Sequence, residues 1–348
     1  MRFLIAVIAA GIAGCGPNGP IAIDPAPKTS NTATNSTTTG STGNTGNTGN
    51  TTTTPTGTTV TTTYDCTQPA PVLPAMWTSE AGYSDSEDFD FDGAGLAIAI
   101  YSGSLTGREK GGPYVRVITP GLITGQAAGT RVLPTGDYVV ADVDRGTIEL
   151  IDGVSGAAVT MASGFNYPNG VEVDLDNNVY VADQDNDKIV RINAYDSTDF
   201  ELVAELNNPN GLVLSPDGQT LYAGTFGIYG GSGNKIYKID RDPAGGWLDA
   251  TILWQSGGGD GGYDGINVDV CGNVYWTEYI EGKVWRMLVG DTQPQRVATL
   301  PSYWIPNLRW GHDIGGWERD VLYVSDRQDG RIFEIDMGIP GKKHVLIP

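Results

Sequence analysis

The sequence predicts an all-β domain built as a six-bladed β-propeller, and three observations predict it. One short pattern is written three times: YPNGVEVDLDNNVYVAD at 167–183, NPNGLVLSPDGQTLYA at 208–223 and GYDGINVDVCGNVYW at 262–276. Hairpin signals accompany it at regular intervals. No long stretch of residues 64–348 carries the apolar period of a helix.

The hairpins read VYVADQDNDKIVRI (179–192), LYAGTFGIYGGSGNKIYKI (221–239), VYWTEYIEGKVWRM (274–287) and LYVSDRQDGRIFEI (322–335), with YVVADVDRGTIELI (138–151) as a shorter copy. Each pairs a β-branched or aromatic run with a Gly/Asp/Asn turn and a second alternating run. The apolar residues after the turns are Ile148, Ile189, Ile236, Val284 and Ile332, spaced 41, 47, 48 and 48 residues apart. A period of roughly 40–50 residues with about four strands per unit marks propeller blades. FDFDGAGLAIAIY and GPYVRVIT supply a less regular first blade.

Two other regions precede this domain. MRFLIAVIAAGIAGC places Arg2 before an apolar run from Phe3 to Ala13, too short to span a bilayer. It reads as an export signal over 1–15, and the small residues before Cys15 resemble a bacterial lipobox, in which Cys15 is lipidated. Gly16 after it favours the outer membrane, facing the periplasm or the exterior. Residues 16–63 are dominated by Thr, Asn, Gly, Ser and Pro, which cannot fill a core, and read as a disordered tether. Such a coil reaches roughly 40 Å.

A net charge of −20 with only two His excludes binding nucleic acid through a basic surface and suits cations. The expected partners are a small substrate or a surface ligand, with membrane contact only through the lipid, and the domain is expected to be a monomer. Cys66 and Cys271 remain as an even pair in an oxidising compartment, open to reading as a disulfide or as two buried thiols.

YPNGVEVDLDNNVYVADQDNDKIVRI resembles an NHL-type propeller repeat. Residues 80–345 resemble the regucalcin/gluconolactonase superfamily of six-bladed propellers. That resemblance implies the fold firmly and an activity loosely, because its members include lactonases, other hydrolases and proteins without known chemistry.

The residue that opens each blade's inner strand should face the channel mouth. With the Asp269 hairpin as a ruler, Asp264 lies five residues before it, and the same offset gives Asn169, Asn210, Gly129 (from Pro134) and Glu87. Counting back eleven from Tyr323 gives His312, with Asn307 as the substitute if that register slips. Two carboxylates and two amide oxygens make a hard-cation site, most naturally Ca²⁺. The family resemblance implies the same metal set: Glu87, Asn169, Asn210 and Asp264. It also implies Asp264 as the catalytic base. His312 is a second candidate proton-moving group because imidazole titrates near neutral pH, and it reads equally as a packed, hydrogen-bonded channel residue. Asn-Gly and Asp-Gly are equally familiar as turn pairs, since both residues tolerate positive φ.

The leading reading is therefore a cation-binding, lactonase-like hydrolase. The alternative is a non-enzymatic NHL-like scaffold that presents loops such as 227–234 and the late Trp cluster to a protein or glycan. The Asp183/Asp185/Asp187 cluster reads as a turn, and Asp88-Phe-Asp90-Phe-Asp92 as a strand. Motifs of serine hydrolases, thiol redox proteins and zinc proteases are missing from the sequence.

Overall fold

The computed structural model describes residues 64–66, 77–81, 86–112, 115–228 and 233–346. The signal with Cys15, the tether over 16–63 and residues 229–232 of the loop 227–234 lie outside the described residues.

Six four-stranded antiparallel sheets make the blades. Blade one contains β2 (Phe89–Phe91), β3 (Ala97–Tyr101), β4 (Ser104–Arg108) and β5 (Val115–Thr119). Blade two contains β6 (Ala127–Val132), β7 (Tyr138–Asp142), β8 (Thr147–Ile151) and β9 (Ala158–Ser163). Blade three contains β10 (Pro168–Val173), β11 (Asn178–Asp183), β12 (Lys188–Asn193) and β13 (Asp196–Glu205). Blade four contains β14 (Pro209–Leu214), β15 (Thr220–Thr225), β16 (Lys235–Asp240) and β17 (Thr251–Gln255). Blade five contains β18 (Tyr263–Val268), β19 (Val274–Glu278), β20 (Lys283–Met287) and β21 (Gln295–Thr299). Blade six is composite: β22 (Leu308–Trp310), β23 (Val321–Asp326) and β24 (Arg331–Asp336) are completed by β1 (Trp77–Ala81), which pairs with β24. This strand from the other end of the chain closes the ring, and nothing in the repeat pattern announced it.

The repeated Asp explains the repeated hairpin. Oδ1 of Asp92, Asp174 and Asp269 each accepts backbone N–H groups two and four residues on, at 2.8–2.9 Å. These Asx turns fold the inner strand back onto the second strand. The apolar faces of adjacent blades then interleave. Val139 of blade two is buried with Val171 and Val181 of blade three, and Tyr275 of blade five with Leu308, Leu322 and Phe333 of blade six. Inner strands of successive blades pack side by side around the axis.

Cys66 is bonded to Cys271 in the β18–β19 turn, across a sequence separation of 205. That turn lies at the end of the channel away from the predicted mouth. The C-terminal segment reaches the same end: Val270 N–H donates to the Pro340 carbonyl at 2.9 Å and Lys342 N–H to that of Val268 at 3.1 Å.

Candidate cation site at the channel mouth

The inner strands of blades two to five break register at one equivalent place, between Ala127 and Thr130, Pro168 and Val171, Pro209 and Leu212, and Tyr263 and Ile266. The residues left at these bulges are Ala128-Gly129, Asn169-Gly170, Asn210-Gly211 and Asp264-Gly265. A bulge re-aims its side chains. The glycines answer a second demand. A Cβ on Gly170 would stand 2.0 Å from the Asn210 carbonyl oxygen, and one on Gly211 2.1 Å from that of Asp264. Gly170, Gly211 and Gly265 stay outside the left-handed region. The Asn-Gly and Asp-Gly pairs are thus inner-strand elements in close backbone approach, and the turn reading of them is corrected.

Glu87, Asn169, Asn210 and Asp264, with Asn307 from blade six, line one cavity of ≈ 10 Å³. That is about the room of one water-sized sphere. Asn169, Asn210 and Asp264 are buried. Asn169 Nδ2 donates to Gln184 Oε1 at 2.8 Å, which leaves its own carbonyl oxygen toward the ring. Asn210 hydrogen-bonds the Asp264 carboxylate.

Two ring positions differ from the sequence-based placement. The blade-two turn begins at Leu133, whose N–H donates to the Asp137 carbonyl as that of Asp174 does to Asn178. Five residues earlier stands Ala128, while Gly129 is the counterpart of Gly170: its Cβ would meet the Asn169 carbonyl oxygen at 2.6 Å. In blade six, residues 311–320 separate β22 from β23, a longer connection than the 269–273 turn of blade five, so the backward count stopped short of the ring position. His312 lies past the far end of β22. It is 2 % exposed, stacked on Phe91 with ring centroids 5.6 Å apart, and its Nε2 meets the Asp92 carbonyl at 3.0 Å. It is a packed core residue at the opposite end of the channel, and Asn307 takes the blade-six position.

Burial pushes the Asp264 carboxyl well above the usual carboxylate range, and the neighbouring Glu87 charge adds to it. Burial raises Glu87 as well, against the opposing pull of Arg327, whose Nη1 pairs with Glu87 Oε2. Asp88 and Arg131 line the same cavity, and the further charges there are paired among themselves. Asp88 is paired with both Arg131 and Arg309, and Glu172 with Arg131 and Lys342. Burial still lifts Asp88 to about 6. His344 Nε2 lies 3.3 Å from Asp90 Oδ1 and, with Lys342, plugs the far end.

A protein-family model for the SMP-30/Gluconolactonase/LRE-like region matches residues 196–328. Blades four, five and part of six fall within this match. Among solved structures, a gluconolactonase from Xanthomonas campestris is 19% identical, with 79% of this chain and 99% of that one covered and a TM-score of 0.58. Regucalcin from Agrobacterium tumefaciens, described as a calcium-binding protein, is 18% identical over 76% and 96% with a TM-score of 0.57. A chain of a nidogen/laminin complex is 16% identical over 72% and 88%, TM-score 0.55. At these identities the likeness is one of fold. No curated protein matches the chain.

The matched residues include Asn210, Asp264, Asn307 and Arg327, whereas Glu87 and Asn169 come from earlier blades. The ring fits a hard divalent cation on its donor chemistry, because its side chains offer oxygens from two carboxylates and neighbouring amides. Among the described residues no three His, Cys, Asp or Glu side chains cluster as ligands, so such a cation would depend on the amides.

Sequence reasoning missed the rim. In blades two to six one hydrogen bond repeats: the N–H of Val143, Gln184, Phe226, Tyr279 and Arg327 donates to the carbonyl of Gln126, Tyr167, Asn208, Gly262 and Trp304. Gln184 reaches Asn169, and Arg327 hydrogen-bonds Tyr279. Phe226 packs edge-on to Tyr279 at 5.8 Å. The signal was present, since each rim donor directly follows the second strand of its hairpin, as in VYVAD-Gln184, VYWTE-Tyr279 and LYVSD-Arg327.

Asp183 of the acidic hairpin cluster is structural. It is fully buried, pairs with Lys188 and accepts the Asn166 N–H at 2.7 Å.

Proposed function

We propose that Glu87, Asn169, Asn210 and Asp264 bind one divalent cation, Ca²⁺ by donor chemistry, and that the mouth hydrolyses a small lactone or ester. One observation carries the reading: four oxygen-bearing side chains from four blades meet in a single ≈ 10 Å³ cavity. The family-level likeness to lactonase-type and calcium-binding propellers supports it.

When bound, the cation would polarise the substrate carbonyl. Gln184 holds the Asn169 amide in place, and Asn210 fixes the Asp264 carboxylate. Asp264 accepts the proton of the attacking water, a role favoured by a carboxyl that burial raises above the usual carboxylate range. A panel of lactones and esters, assayed with Ca²⁺ and with chelator, tests this. Turnover abolished by chelator and by Asp264→Ala supports it, and chelator-insensitive turnover overturns it.

The second reading is a binding scaffold in which the cation only stiffens the mouth. The covering of the ring favours it, since Asp264 is 4 % exposed and Arg327 pairs across Glu87. Absence of turnover with intact cation binding decides for the scaffold.

The reading extends to display at the outer membrane through lipidated Cys15, with residues 16–63 as tether and 64–348 as a monomeric head. Mass spectrometry of the exported protein for a diacylglyceryl Cys15 tests that part.

A further inference from the structure

The rim side chains that meet at the mouth are aromatic, amide or aliphatic, with one exception. Arg327 is the cation among them, and it is anchored. Its N–H donates to the Trp304 carbonyl at 2.9 Å, and its guanidinium is held between Glu87 and Tyr279. With 32% of its side chain exposed, Arg327 is reached by solvent.

The local charge decides what this cation is for. Glu87, Asp264 and Arg327 sum to −1, while Asp88 in the same cavity is compensated by Arg131 and Arg309. A divalent cation in the ring adds +2 and makes the mouth +1. A cation that takes the Glu87 carboxylate also competes with its pairing to Arg327. The guanidinium fork is then available, and its planar donors match a carboxylate bidentately. Tyr279 accepts from Arg327 and retains its O–H to donate to the same anion. Phe226, packed on Tyr279 at 5.8 Å, supplies an apolar wall beside it; Gly262 makes room, since a Cβ there would stand 2.8 Å from the Phe226 ring.

We propose that Arg327 and Tyr279 form a carboxylate subsite above the cation ring, so that the ligand of this propeller is an acid with an apolar body, bound only when the ring holds its cation. The subsite rests on the ring reading given above. It concerns which ligands are selected, and not the hydrolytic step.

Isothermal titration of the full chain with benzoate, and with benzamide as its neutral counterpart, tests the subsite in Ca²⁺ and in chelator. Benzoate is expected to bind in Ca²⁺ at least about ten-fold more tightly than in chelator, and more tightly than benzamide. Arg327→Met is expected to lose that advantage, while Arg327→Lys, which keeps the charge without the fork, retains part of it. Ca²⁺ titrated into Arg327→Met still binds, and more tightly, because the competitor for Glu87 is gone. Ca²⁺ binding with benzoate affinity indifferent to both Arg327 variants, or equal to that of benzamide, overturns the subsite alone. Failure of Ca²⁺ to bind the wild-type chain overturns the ring and the subsite together.

Discussion

A Cβ placed on Gly211 would stand 2.1 Å from the carbonyl oxygen of Asp264, one blade away. The inner strands around the channel are therefore drawn together to a spacing that only glycine permits, and the ring side chains stand at that constriction. Gly211→Ala adds one methyl group where two backbones meet without relieving any left-handed strain. It is expected to destabilise by about 1–3 kcal/mol and to weaken cation binding at the same time. Chemical denaturation with parallel Ca²⁺ titration checks this. An alanine variant as stable as wild type would contradict the packing argument.

Asp264, buried, and Glu87, partly buried, are two carboxylates beside the Arg327 guanidinium, an arrangement that costs stability unless a cation completes it. In chelator, Asp264→Asn is expected to melt higher than wild type by an amount equivalent to about 1–3 kcal/mol. In Ca²⁺ the order reverses. Calorimetric melting in both buffers reads the crossover, and a variant less stable than wild type in both would contradict it.

The phenols of Tyr138, Tyr263 and Tyr323 are each pushed up to about 12 by burial; Asp92 adds to this at Tyr138, whereas Lys110 opposes it at Tyr323 and Trp254 at Tyr263. Unfolded phenols ionise near 10. A raised folded value means stability that is complete below pH 10 and drains away as pH climbs through about 12. The loss approaches roughly 2–3 kcal/mol per phenol. Ultraviolet titration should show these phenols ionising together with unfolding. Ionisation at pH 10 in the folded protein would refute the prediction.

The Cys66–Cys271 bridge fastens the described N-terminal residues to blade five, while β1 closes the ring through β24. Reduction, or Cys66→Ser, should lower the melting temperature by an amount equivalent to about 2–5 kcal/mol of stability and leave the propeller folded. Unchanged melting on reduction would mean that the bridge carries no load.

The architecture was legible because each blade repeats one hairpin whose Asp supplies its own turn hydrogen bonds. Where that Asp or its Ser counterpart stands, at Asp92, Asp174, Ser215 and Asp269, counting back five residues arrives at the ring. Blade two begins its turn on Leu133, which gives no such signal, and the count landed on Gly129 instead of Ala128. Blade six carries the 311–320 connection, and the count reached His312 where the structure places Asn307. The closing strand β1 and the Glu87–Arg327 pair were beyond reach for another reason. Both join residues more than 200 positions apart, and no local period reports such a pairing.

The central claim is a cation held by side chains of several blades. Titration calorimetry of Ca²⁺ into the metal-stripped protein, beside Asp264→Ala and Asn169→Ala, tests it most directly. The account predicts one site per chain, abolished by Asp264→Ala and weakened by Asn169→Ala. Heats indistinguishable from buffer in the wild type, or one site of equal affinity in all three proteins, would contradict it.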